Sequence, residues 1–217
     1  DPGLPIGGLR KVSPIEQKLV LRGWLKDSGY RPPSAAVLDA ILTQCLEAGT
    51  GRNPVVRWPE GEVRRYREQL YLLPPLAPFA PGAPVAWPES EERVLLPGGN
   101  GALRMAAMPD GGIPLARWRS ATRTIRYRRG GEKLRLPGRA GHHELRKLFQ
   151  EAGIPPWIRE RIPLLYLDDQ LTAVVGYWLA ADVVNPEGQT PGLAPVWLPP
   201  PGFQYPPGRP APEATSP

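Results

Sequence analysis

Between Arg117 and Arg161 the chain places 13 lysines and arginines against Glu132, Glu144, Glu151 and Glu160, a local balance of 13 − 4 = +9. The remaining residues balance to 14 − 17 = −3, so one segment carries the basic character of a chain whose net charge is +6. Of those 13 cations 11 are arginines. A planar guanidinium forks onto phosphate oxygens or stacks on a base, where an ammonium acts as a point charge. The chemistry these residues offer is capture of a polyanion.

The elements that must position them can be read from spacing. In TIRYRRGGEKLRLPGR, Arg126 and Arg128 alternate with Ile125 and Tyr127, so a strand puts the arginines on one face and the apolar pair on the other. Residues 129–132 turn, and Lys133 and Arg135 repeat the alternation against Leu134 and Leu136. The loop from Gly138 to Gly141 then delivers Arg139 ahead of a helix predicted over 142–152, with Leu145, Leu148, Phe149 and Ala152 on its apolar face. Helix starts expose unpaired amides that favour anions, so loop and helix start together predict a phosphate-sized site. The candidate phosphate contacts are Arg126, Arg128, Arg129, Lys133, Arg139, Arg146, Lys147 and Arg159, with Arg64, Arg65 and Arg67 as a second, sparser patch. Two kinds of partner fit such a face. One is a nucleic-acid backbone; the other is an acidic protein, for which the PPPGFQYPPGRPAP tail would add a polyproline II surface.

Bond-making chemistry finds no comparable support. Gly98-Gly99-Asn100-Gly101 lacks the lysine and following helix of a phosphate-binding loop and reads as a turn. His142 and His143 are adjacent and share no metal-ligand spacing with a cysteine or carboxylate cluster. Cys45 is the one cysteine, which excludes an intrachain disulfide and suits a reducing, cytoplasmic setting. The longest apolar run, IPLLYLDDQLTAVVGYWLA, is broken by Asp168 and Asp169, so no membrane partner is expected. No catalytic residue, metal or cofactor is assigned to this chain. Its first residue, Asp1, is read as the start of a piece of something longer.

An α+β class follows from the remaining pattern. Residues 1–74 predict a small helix-rich domain: Ser13, Pro14 and Glu16 form a capping box ahead of Leu21, Trp24 and Leu25, and Ser34 opens a second helix through Cys45. A β-hairpin closes it, PVVRW against EVRRYREQLYLL. Residues 75–90 are proline-rich and predict a stiff linker. Residues 91–199 predict a mixed domain of short strands around one main helix, with Asp168-Asp169 as a hairpin turn and VWLP at 196–199 as a last edge strand. Residues 200–217 predict a disordered tail.

One run of these residues also resembles a known family. Arg126-x-Arg128 and Gly130 are followed by Gly138-Arg139-x-Gly141, then Leu145-x-Lys147-Leu148-x-Gln150-Glu151 and Ile154-Pro155-Pro156-Trp157-x-Arg159, ending in Pro163-Leu164-Leu165. This run is similar to the C-terminal domain of the bacterial tRNA(Ile)-lysidine synthetases. Arg22-x-Trp24-Leu25, Arg64-Arg65-Tyr66 and Leu70-Tyr71-Leu72 resemble that family's middle, substrate-binding domain. The resemblance implies an enzyme that uses ATP to join lysine to the wobble cytidine of tRNA(Ile) with a CAU anticodon, which changes decoding from AUG to AUA. It also implies that ATP and Mg belong to a preceding catalytic domain, whose SGGxDS-type loop has no match here. The partner so implied is that tRNA, with a homodimer left open.

Overall fold

The computed structural model describes residues 3–49, 52–184 and 191–200, and the boundary between Pro78 and Phe79 separates two units. In the first, strand β1 (Leu4–Pro5) and the single-turn helix α1 (Ile6–Leu9) lead into α2 (Pro14–Asp27). The predicted capping box is present: Ser13 Oγ accepts the Glu16 amide at 3.4 Å, and the Glu16 carboxylate accepts the Ser13 amide at 2.8 Å. Ser34 likewise caps α3 (Ala35–Ala40), which widens into a π-helical stretch over Ile41–Leu46. Leu21, Leu25, Leu38, Ile41 and Cys45 form one buried cluster with Val56, Val63 and Leu70 of the sheet below.

That sheet departs from the predicted hairpin. It has four antiparallel strands in the order β1-β4-β3-β2, with β2 at Val55–Trp58, β3 at Gly61–Tyr66 and β4 at Gln69–Leu73. The run EVRRYREQLYLL is two strands, folded back at Arg67-Glu68, where Arg67 takes φ 56. No glycine, asparagine or aspartate marks that reversal, which is why residue type concealed it. Cys45 is fully buried, and burial pushes its thiol from 9.0 up to about 11. A thiol reagent at pH 8 should therefore leave the folded protein unmodified and label it once denaturant is added. The folded thiol keeps its proton where the unfolded one has lost it, so this group's contribution to stability is full below pH 9 and disappears as pH rises towards 11. A urea midpoint that falls across that window checks the sign.

The second unit runs β5 (Val85–Ala86), β6 (Arg93–Leu95), β7 (Ala102–Met108), α4 (Leu115–Ser120), β8 (Arg123–Arg126), β9 (Lys133–Arg135), β10 (His142–Glu144), α5 (Leu145–Glu151), α6 (Pro156–Arg159), β11 (Leu164–Leu167), β12 (Gln170–Val174), β13 (Trp178–Leu179) and β14 (Gly192–Leu198). A five-stranded sheet has the order β13-β12-β11-β8-β5, a three-stranded one β14-β7-β6, and β9 and β10 pair as a hairpin. The class is α+β, as the pattern implied. Residues 85–87 of the segment read as linker belong to this unit: β5 pairs with β8, and Trp87 is 2% exposed with its indole N–H donating to the Glu91 carbonyl at 2.9 Å. An edge strand needs partners on one side only, so proline before it is tolerated. The edge strand expected at 196–199 is β14, whereas 201–217 of the expected tail lie outside the described residues. Among the described residues no helix is long and apolar enough to cross a membrane.

The Gly98–Gly101 turn anchors this unit. Asn100, 1% exposed, donates from Nδ2 to Tyr127 Oη at 3.1 Å and to the Arg161 carbonyl at 2.7 Å, and its own carbonyl accepts the Trp197 indole N–H at 2.7 Å. At Gly101, with φ +80, a Cβ would lie 2.0 Å from the Leu198 carbonyl oxygen, so only glycine fits. Asn100→Ala removes the Nδ2 donor from a buried carbonyl and a buried hydroxyl. It should cost about 2 kcal/mol in urea unfolding.

Candidate nucleic-acid interface

Strand β8 and its continuation send Ile125 and Tyr127 into the core, 0% and 6% exposed, and turn Arg126 and Arg128 the other way, as alternation predicts. Both arginines are engaged. Arg126 pairs with Asp169 and lies 4.4 Å over the Tyr166 ring, and Arg128 Nε is 3.9 Å from Glu132 Oε2. Burial first, then the nearby Glu132 charge, push the Tyr166 hydroxyl upward against the pull of Arg126. Glu132 also pins the turn: its carboxylate accepts the Arg129 amide and, at 3.0 Å, the Gly130 amide, leaving the Arg129 side chain exposed.

The helix start predicted behind Gly138 does not form. Residues 142–144 pair with 135–133 as β10 on β9, and α5 begins only at Leu145, whose amide donates to the Glu132 carbonyl at 2.9 Å. The reason is local: His142 and Glu144 are exposed while His143 is half-buried, an alternation that suits a strand better than a helix. The predicted anion site at that helix start is therefore absent. Arg139, brought round by the hairpin turn, instead meets Glu151 at 2.9 Å, and Arg135 meets Asp182 at 2.9 Å.

Arg146 and Lys147 project from α5 opposite the buried Leu145, Leu148 and Phe149. They, Arg129 and Lys133 are exposed and form no ion pair with another described residue. Of the predicted contacts on this second unit, these four are the available cations. Arg126, with a third of its side chain exposed, and Arg139, with half, sit in surface pairs of the kind worth about 0–1 kcal/mol, weak enough to exchange a carboxylate for a phosphate. Arg159 is placed otherwise: its Nε donates to the Ile154 carbonyl at 2.7 Å and closes the turn into α6.

The second patch is largely structural. Arg65 is 4% exposed; Nη1 donates to the carbonyls of Cys45 at 3.1 Å and Ala48 at 2.6 Å, Nε to that of Arg67 at 3.0 Å, and Nη2 pairs with Glu68 at 2.8 Å. It caps the end of the helix rather than facing solvent, which corrects its sequence assignment. Register held the signal, because Arg65 shares the core-facing side of β3 with Val63. Arg64 and Arg57 hold the fully buried Glu62 at 2.6 and 2.9 Å. Arg67 is exposed, its guanidinium 5.3 Å from the Tyr66 ring centre. Arg117 on α4, absent from the candidate set, pairs with Asp168 at 2.8 Å, while Arg126 pairs with the next residue, Asp169.

The Gly98–Gly101 segment is not a phosphate-binding loop. The Gly98–Gly101 turn leads into strand β7 instead of a helix, and among the described residues no three His, Cys, Asp or Glu side chains cluster as metal ligands.

Comparison with known proteins gives this geometry a context. The family model described as "TilS substrate binding domain" matches residues 4–71, and that described as "TilS substrate C-terminal domain" matches residues 124–194. The tRNA(Ile)-lysidine synthase of Methylococcus capsulatus is 45% identical over 184 residues, covering 84% of this chain and 42% of that protein. The chain belongs to the tRNA(Ile)-lysidine synthase family. The synthase of Alkalilimnicola ehrlichii is 37% identical over 86% of the chain, and that of Pectobacterium atrosepticum 33% over 91%. This member of the family spans less than half the length of these curated relatives, 42 to 44%. A solved structure described as the crystal structure of the TILS C-terminal domain aligns with a TM-score of 0.39 at 22% identity, covering 49% of this chain and 90% of that one.

Proposed function

We propose that this chain is the tRNA-recognising part of a tRNA(Ile)-lysidine ligase and does no chemistry alone. In this reading the whole protein works in the cytoplasm. A separate domain holds ATP and Mg and joins lysine to the wobble cytidine of tRNA(Ile) with a CAU anticodon. The observation that carries the reading is the set of exposed cations Arg129, Lys133, Arg146 and Lys147, which form no ion pair with another described residue, on one continuous run of turn, hairpin and helix. Arg126 and Arg139 flank them in exchangeable pairs, Arg128 is held beside the mostly buried Glu132 carboxylate, and Arg67 is the exposed member of the patch on the first unit. Arginines of this kind meet phosphates and 2′-hydroxyls, so they orient a tRNA stem more than they read its bases.

Fluorescence anisotropy of labelled tRNA(Ile) against salt tests this. The log–log slope should be on the order of −4 to −6, the release expected for about five to seven neutralised phosphates. A flat response would remove the RNA reading. Incubated with ATP, lysine and tRNA, the chain alone should yield no lysidine, and turnover would overturn the division of labour.

A further inference from the structure

The turn between β11 and β12 is a two-residue hairpin loop, Asp168-Asp169, closed by the Leu167–Gln170 pair. Both residues take left-handed φ, 47 and 64. Asn-Gly is the favoured pair for such a turn, because glycine and asparagine adopt that backbone most readily. Two aspartates are a costlier choice sterically and place two negative charges side by side. Each charge is used. Asp168 Oδ2 pairs with Arg117 at 2.8 Å while its Oδ1 accepts the Thr122 amide at 2.8 Å, and Asp169, 83% exposed, pairs with Arg126. The turn thus presents two carboxylates to two arginines of the basic segment, one from α4 and one from β8.

We propose that Asp168 and Asp169 are specificity-determining residues that occupy Arg117 and Arg126 as stand-ins for phosphate. This deepens the RNA-binding reading above and rests on it. A polyanion gains these two guanidiniums only where its phosphates lie close enough to both to displace the carboxylates. A tRNA of the right shape does so, and a mismatched one meets two negative charges instead. The turn lowers affinity for every RNA and lowers it most for the wrong one. With Arg117 and Arg126 partly exposed and Asp169 almost wholly so, the exchange needs no movement of the sheet.

The test is D168N/D169G. The asparagine side chain keeps an acceptor for the Thr122 amide, and Asn-Gly suits the backbone, so thermal stability should be unchanged or higher. Affinity for tRNA(Ile) at low salt should rise by about threefold to tenfold, the salt slope should steepen by about one to two, and a non-cognate tRNA should gain more than tRNA(Ile). D169N, which frees Arg126 alone, should give roughly half the change in slope and serves if the double variant is poorly folded. E89Q/E92Q is the control, since it adds the same net charge at exposed residues that form no ion pair with another described residue. Unchanged or weaker binding, an equal gain in the control, or an equal gain for both tRNAs would overturn the proposal while leaving the RNA reading intact. Salt-insensitive binding by the wild-type chain would overturn both.

Discussion

Arg65→Ala will lower the stability of the first unit by about 3 kcal/mol while leaving the second unit's transition in place. The guanidinium is 4% exposed and satisfies carbonyls at Cys45, Ala48 and Arg67 at once, besides pairing with Glu68. Those at Cys45 and Ala48 lie in the π-helical stretch that continues α3 and just after it, where helix-end carbonyls lack intrahelical donors, and a cation there also meets the negative end of the helix dipole. Truncation removes the one buried side chain that donates to all three carbonyls. Arg65→Lys should recover only part of the loss, because one ammonium cannot span carbonyls that a fork reaches. Urea unfolding followed by labelling of Cys45, the one cysteine and buried in this unit, separates it from the other. If Arg65 were instead a phosphate ligand, alanine would weaken tRNA binding and leave the unfolding midpoint alone.

The largest effect on binding should come from α5. R146E/K147E reverses two exposed charges on a helix whose opposite face is fully packed, so the fold should hold to within about 0.5 kcal/mol. Affinity for tRNA should drop roughly 30- to 100-fold at 0.1 M salt, and the log–log slope should become shallower by about two, one for each phosphate no longer neutralised. The loss should be similar across tRNA sequences, because backbone contacts position without reading. Intact affinity would remove this helix from the interface. R126E/R128E is a poorer probe of the same idea, since both side chains are partly buried and support Tyr166 and the Glu132 turn.

Much of this was legible in the residues because the deciding interactions are local. Ser13 and Glu16 announce their helix by spacing alone, and Ile125 and Tyr127 show which face of β8 is buried. What escaped depends on partners distant in the chain. Arg126 meets Asp169 across 43 residues and Arg135 meets Asp182 across 47, so a count of charge could locate the basic segment without saying which guanidiniums are engaged. At residues 142–144 the pull of β9 outweighed a helical pattern that begins only three residues later. Arg65 looked like a member of a surface run because Arg64 and Arg67 flank it, whereas its register beside Val63 commits it to the core.

Strand β14 pairs with β7 along its whole length, Leu198 against Ala102 and Gly192 against Met108. During synthesis, then, the three-stranded sheet must wait for residue 198 to leave the ribosome, some 90 residues after β7 has emerged. Until that moment one flank of β7 stays open to foreign strands, and the Asn100 carbonyl has no indole to bind. The first unit carries no such delay, because its last strand ends at Leu73. The two halves should therefore mature in sequence on the nascent chain, the second exposed for longer to chaperones and proteases.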